Sequence, residues 1–182
     1  YDAMNKGVAL ATGDIIALLN ADDVYAHPDV LSHVLDHFEN HTDAVFGDVA
    51  FFRPENPQQT VRRFDSSRFS PGKIGWGWMP AHPALFLRRH VYERVGPFKT
   101  DYRIAGDYEF VARAFSRFPL TYKHIPEILV NMQTGGASTS GLRGTIRLNR
   151  EVLRACREND IHTNWCKILS KYPAKMLELI HR

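Results

Sequence analysis

Hydrophobic and polar positions along the chain follow two periods in alternation. Over residues 2–11, Met4, Val8 and Ala11 fall on one face at helical spacing. Asp2 is a candidate cap and Gly13 a stop, so the pattern predicts a helix there. The next run, Ile15-Ile16-Ala17-Leu18-Leu19, is apolar at every position. A short run of this kind predicts a strand buried on both faces, as in a parallel sheet. It breaks off at Asn20-Ala21-Asp22-Asp23. Helical spacing returns at Val30, Leu31, Val34, Leu35 and Phe38, with Pro28 suited to the first turn. Residues 44–52 read as a second strand, 53–59 as a loop or hairpin with two prolines, and 61–64 as a return strand. Residues 66–80 are rich in Gly, Ser and Pro, and Trp76 and Trp78 flank Gly77. A strand at 84–87 precedes a short helix that ends near Gly96. A second stripe of Phe110, Val111, Ala114, Phe115 and Phe118 predicts a strong helix, which Pro119 stops. Residues 129–132 read as a last strand opening into Gly135-Gly136-Ala137-Ser138-Thr139-Ser140, and the chain is helical from Leu142 onward. Strands interleaved with helices predict an α/β domain.

Composition narrows the class. The 182 residues are 44% hydrophobic and 24% charged, ordinary values for a globular chain with a real core. A net charge of +3 suits an anionic substrate or surface but is too weak to argue for nucleic acid. No apolar run approaches the ~20 residues of a membrane-spanning helix. Cys156 and Cys166 lack metal-ligand partners at useful spacing, which makes a reducing, cytoplasmic compartment the expectation. Arg143, Arg147, Arg150, Arg154 and Arg157, continued by Lys167, Lys171 and Lys175, recur at roughly helical spacing. This basic face is either a solvated helix side or a peripheral contact with an anionic membrane.

The acidic corner is the first chemical candidate. Ligands in open α/β sheets sit at the carboxyl ends of strands. Two adjacent carboxylates there lose hydration and repel each other. A divalent cation relieves both, since magnesium and manganese take oxygen ligands and bridge carboxylates to phosphates. A turn or helix cap is the other reading of the same residues. Asp107, at the start of the strong helix, is either a cap interacting with the helix dipole or a carboxylate in a site. Trp76 suits stacking on a sugar ring or ordinary packing. His82, after the Gly/Trp loop, is a candidate acceptor contact or a structural histidine. The Gly135–Ser140 loop is either a linker or a backbone that approaches a phosphate closely.

Taken together, several segments resemble the family 2 glycosyltransferases of the GT-A fold, in particular bacterial enzymes of exopolysaccharide, colanic acid or lipopolysaccharide assembly. The segments are Tyr1-Asp2-Ala3-Met4-Asn5-Lys6-Gly7, Ala11-Thr12-Gly13-Asp14, Leu19-Asn20-Ala21-Asp22-Asp23, Phe86-Leu87-Arg88-Arg89, Gly96-Pro97-Phe98, Gly106-Asp107-Tyr108-Glu109-Phe110 and Gly135-Gly136-Ala137-Ser138. The resemblance implies a Rossmann-like mixed sheet flanked by helices. Residues 1–140 would form a partial catalytic domain whose first strands are missing, and 141–182 a helical, basic extension. It implies an inverting transfer of a sugar from a nucleotide-diphosphate donor, UDP by default, to a hydroxyl of a saccharide or lipid-linked acceptor in cell-surface polysaccharide synthesis. The cofactor would be manganese or magnesium, and the location cytoplasmic or at the inner face of the plasma membrane. The DXD-type motif falls on Asn20-Ala21-Asp22-Asp23, with Asn20 where many relatives have Asp. Asp23 would hold the metal, Asp22 and Asn20 would contact the donor, and Ser138 would close on its phosphates. Asp107 matches the catalytic base, although the acid that usually precedes it is Gly106 here. His82 and Trp76 fall in the region that relatives use for the acceptor.

Two rival readings remain open at this point. One is a non-catalytic carbohydrate- or partner-binding remnant of such an enzyme. The other is a metal-dependent phosphohydrolase built on the acidic pair, which leaves Gly106-Asp107 and the Gly-Gly-Ala-Ser loop unexplained.

Overall fold

A computed structural model describes residues 1–135 and 141–172. The elements in chain order are α1 (Asp2–Leu10), β1 (Ile15–Ala17), β2 (Val24–Tyr25), α2 (Val30–Asp36), β3 (Ala44–Arg53), β4 (Asn56–Phe64), β5 (Leu85–Arg88), α3 (Arg89–Val95), α4 (Gly106–Arg117), β6 (Tyr122–Gln133), α5 (Gly141–Glu158) and α6 (Trp165–Leu169). Three short 3-10 turns, Ser66–Arg68, Pro71–Trp76 and His82–Ala84, carry the chain from β4 to β5.

The strands form one mixed sheet in the order β1-β5-β3-β6-β2, with β4 also paired to β3. β3 is its axis. Along one edge it pairs antiparallel with β5 through Ala44–Phe46, then with β4 through Val49–Arg53. Along the other edge it runs parallel to β6. The β3–β6 register shifts on either side of Asp48. Gly47 sits at that shift because a Cβ there would lie 2.4 Å from Leu129 Cγ. Alternation along the strands divides the core between two faces. Phe46, Leu85 and Leu87 pack with α3, α4 and α5 on one side, and Val45, Val49 and Phe86 pack with Val30 and Val34 of α2 on the other. α5 contributes Val152, Leu153, Ala155 and Cys156 to the first of these clusters.

The structure corrects several expectations. Among the described residues, the apolar run at 15–19 pairs along one side: β1 joins β5, antiparallel; of Ile15–Ala17 only Ile16 is buried, and Leu19 is 38% exposed. Asp2 is the first helical residue rather than a cap and pairs with Lys6 at 2.7 Å. α1 ends at Leu10, ahead of Gly13. Pro28 precedes the cap Asp29 instead of entering the first turn. Arg88 donates to the carbonyls of Thr42 and Glu39, and Arg89 to those of Ala11 and Gly13, so both hold loops against the sheet. No helix among the described residues is long and apolar enough to cross a membrane.

Candidate active site

The residues singled out at opposite ends of the sequence motif series meet in one cavity of about 680 Å³. Asn20, Asp22 and Asp23 line it together with His82 and Asp107. The first group stands where β2 leaves the acidic corner and joins β6 through Val24–Asn131. Asp23 is buried while Asp22 is exposed. The Asn20 side-chain amide donates to Asp23 Oδ2 at 2.8 Å, and the Gln133 backbone N–H also reaches this carboxylate. Asn20 therefore presents its nitrogen, not its oxygen, to the acid. Burial pushes the Asp23 carboxyl upward; the Asn20 and Gln133 donors oppose this, and the Asp22 charge adds to the rise. Desolvation thus disfavours the charged form of Asp23 in the absence of a cation. A hard divalent cation suits such a pair, because magnesium-type sites need only one or two carboxylates when phosphates complete the shell.

A second group with ligand-type side chains, Asp48, Asp65 and His124, lies elsewhere. It is already neutralised from within. Asp48 is 1% exposed and accepts from Arg63 at 2.9 and 2.6 Å, from the Ser66 N–H at 2.9 Å and from His124 at 2.9 Å. Its role in the site is indirect, since Ser66 Oγ in turn accepts from the Ala81 N–H, next to His82.

Asp107 is the second residue of α4, where a carboxylate is favoured by the unpaired N–H groups and the dipole. Its Oδ1 accepts from the Tyr108 N–H at 2.8 Å. The loop that delivers it is held from α5 and from Tyr1 ahead of α1. From α5, Glu151 accepts from the backbone N–H groups of Arg103, Ile104 and Ala105 at 3.2, 2.8 and 2.8 Å. From the start of α1, the Tyr1 hydroxyl donates to the Ile104 carbonyl at 2.6 Å and accepts from the Gly106 N–H at 2.8 Å. The same hydroxyl lies 3.4 Å from Asp107 Oδ1. Burial and the Asp107 charge push the Tyr1 pKa far up, so it remains a phenol. Asn5 anchors α1 by a reciprocal pair with the Phe98 backbone, 2.8 Å in each direction. Deeper in α4, Glu109 is fully buried and is met by Lys99 at 3.0 Å and Arg113 at 3.0 Å, so the helix cannot slide without stranding a buried charge. Neither Tyr1 nor Glu151 stood out in the sequence as a site residue. Their contacts span 46 to 106 positions and leave no local signature.

His82 opens the last 3-10 turn and faces Phe98 edge-on at 5.9 Å. Burial lowers its pKa and the nearby Asp107 charge opposes that; the net direction is downward, so the ring is neutral at pH 7. Trp76 is not brought to the cavity. It is 42% exposed, with the Lys167 ammonium 5.4 Å from its ring centroid. Trp78 instead lines a second cavity that reaches Asp107. Ser138 lies outside the described residues.

Known proteins place this arrangement. The model of the family described as "Glycosyl transferase family 2" matches residues 1–118. The chain is 31% identical over 156 residues to a PGL/p-HBAD biosynthesis glycosyltransferase of Mycobacterium bovis, covering 85% of this chain and 56% of the relative. It is 30% identical over 118 residues to an uncharacterized glycosyltransferase of Mycobacterium tuberculosis, covering 63% of this chain and 43% of that one. The chain therefore spans about half the length of these curated relatives. Among solved structures, residues 1–349 of S. aureus TarS superpose with a TM-score of 0.52 at 10% identity, over 87% of this chain and 45% of the other, a likeness of fold alone. With a mixed sheet of GT-A type and a family match across the acidic corner and Asp107, the chain belongs to glycosyl transferase family 2.

Proposed function

We propose that the protein transfers a sugar, with inversion, from a nucleotide-diphosphate donor to an acceptor hydroxyl, using Asp107 as the base and Asp23 as the metal ligand. The observation that carries this reading is that one cavity is lined by Asn20, Asp22 and Asp23 together with Asp107 and His82. Inversion in one step requires attack from the face opposite the leaving group, so the base and the diphosphate site must stand across a shared space. The acceptor oxygen bonds to the anomeric carbon as the bond to the diphosphate breaks, and Asp107 takes the hydroxyl proton. Neutral His82 leaves the negative charge of Asp107 undiminished. Tyr1 and Glu151 fix the loop that aims the carboxylate, where an error of ~1 Å costs on the order of a hundredfold in rate. Asp23, with Asp22 beside it, would hold a manganese or magnesium ion, and a cation there offsets charge on the departing diphosphate. Asp22 and Asn20 contact the donor. The acceptor is a saccharide or a lipid-linked molecule of cell-surface polysaccharide synthesis. Catalysis at the inner face of the plasma membrane, with the exposed arginines of α5 on anionic lipid, agrees with that choice.

Calorimetric titration of UDP, GDP and dTDP, with and without manganese, tests the reading. Wild type should bind one nucleotide in a metal-dependent manner. Asp23→Ala should lose that binding, and Asp107→Asn should keep it while abolishing transfer. Full activity in Asp107→Asn would refute the base assignment, and no nucleotide binding by folded wild type would refute the enzyme reading.

A further inference from the structure

We infer that Arg103 binds the phosphate bonded to the donor sugar, holding it before transfer and meeting its charge as it leaves. The inference rests on the transferase reading above and adds to that site a cation of the protein's own. Arg103 lines the acidic cavity and stands in the loop that leads to Asp107. Among the described residues lining that space it is the one lysine or arginine. The other charged side chains there are Asp2, Asp22, Asp23 and Asp107, and His82 is neutral. The Arg103 backbone N–H is held by Glu151 at 3.2 Å. Its guanidinium is exposed and makes no hydrogen bond or ion pair among the described residues.

Other cations of the same region are used differently. Lys6 pairs with Asp2, Lys99 with Glu109 and Glu158, Arg113 with Glu109, and Arg154 with Asp101 and Glu158. A carboxylate within the protein accounts for each of them, and none accounts for Arg103. Its charge is permanent, because a guanidinium keeps its proton at any working pH. A nucleotide diphosphate carries negative charge into a space lined by acids and gains more as the bond to the sugar breaks. A metal ion on Asp23 would offset part of that charge. A guanidinium meets the rest with a planar fork of N–H donors that matches phosphate oxygens. Sugar hydroxyls are neutral and draw the same fork about half as strongly. Position in the chain selects the phosphate. Asp107 works at the anomeric carbon, and the β-phosphate is the one bonded to that carbon, whereas the α-phosphate and the nucleoside lie further along the donor. Arg103 and Asp107 belong to one turn, clasped by Glu151 and Tyr1, so the phosphate nearest the base is also the one nearest Arg103. The long, flexible stem of Arg103 absorbs a shift of ~1 Å in that turn, which the short side chain of Asp107 does not.

The test is calorimetry on the full chain with manganese present. Whichever of UDP, GDP and dTDP wild type binds best is titrated, and then its monophosphate. The proteins are wild type, Arg103→Ala, Arg103→Lys and, as a control for loss of an exposed charge outside the cavity, Arg147→Ala of α5. Arg103 is exposed, so both of its variants should keep the wild-type Tm. Arg103→Ala should weaken the diphosphate at least fivefold and the monophosphate less than twofold, the loss of a charge-assisted contact to one phosphate. Arg103→Lys should fall in between, and Arg147→Ala should stay within twofold of wild type. A smaller loss of diphosphate affinity in Arg103→Ala overturns the inference. So does an equal loss for both nucleotides, which would place the guanidinium away from the β-phosphate, or a loss as large in Arg147→Ala. Each of those results leaves the transferase reading standing, because wild type still binds. Absence of nucleotide binding by folded wild type overturns that reading and the inference with it.

Discussion

Adding one methyl group at Gly106 should disable the base without touching it. A Cβ at this position would lie 2.6, 2.7 and 2.8 Å from Cε2, Cζ and Cδ2 of Tyr1. Carbon atoms settle at about 3.5–4.0 Å, so the ring must retreat by roughly 1 Å. It has little room to do so, because its outer face stacks on Phe98 at 6.1 Å between centroids and its hydroxyl is tied to Ile104 and Gly106. Forcing a methyl group into such packing costs about 1–3 kcal/mol, or about 2–12 °C in Tm for a chain of this size. The displaced hydroxyl also releases the turn that aims Asp107, so kcat should fall by on the order of a hundredfold, with nucleotide affinity unchanged. The control is the double variant. In a Tyr1→Ala background the clash is gone, and Gly106→Ala should become neutral or stabilise by up to ~1 kcal/mol through helix propensity. Thermal denaturation of the four proteins closes the cycle. A cost for Gly106→Ala that persists undiminished without the Tyr1 ring would refute the argument.

Two further predictions concern the frame around the site. Asp48→Ala leaves the half-exposed Arg63 and His124 without their carboxylate and strands the buried Ser66 N–H, an unmet donor that costs about 1–3 kcal/mol; urea denaturation measures it, and a loss below ~0.5 kcal/mol would show that the network is dispensable. Glu158 accepts from Lys99 at 2.7 Å, Arg154 at 2.6 Å and Tyr102 at 2.9 Å. Burial opposes these donors, yet they hold its carboxyl well below the ordinary value of 4.5, at about 2. A depressed folded pKa contributes stability above the unfolded value that is lost as pH falls through the folded one, here between about 4.5 and 2. Glu158→Gln should therefore cost about 1–2 kcal/mol at pH 7, after discounting for solvent screening. The gap to wild type should close by pH 2, and an equal gap at both pH values would contradict the assignment.

What the sequence made legible was local. Helical spacing located α2 and α4, and the acidic corner and Gly106-Asp107 were recognisable as motifs. The misses have physical causes. β4 begins five residues before its expected start because residues 56–60 are exposed and polar; main-chain pairing to β3 makes them a strand, with no apolar alternation to announce it. β6 begins at Tyr122 rather than 129 because Lys123, His124, Pro126 and Glu127 interrupt the apolar pattern, while its parallel neighbour β3 supplies the ladder. The site was half legible for the same reason. A motif singles out Asp107, but the direction of its carboxylate is set by groups distant in sequence. Tyr1 lies 106 positions before Asp107, and Glu151 lies 46 to 48 positions beyond the backbone it holds. α4 itself is fixed by the buried Glu109 with Lys99 and Arg113. Asp107 thus sits on a rigid helix, and the turn that leads into that helix is clasped by Tyr1 and by Glu151 of α5. It follows that loosening either clasp should lower turnover before it lowers donor affinity, since the acidic corner rests on β2 and β6 and shares none of those contacts.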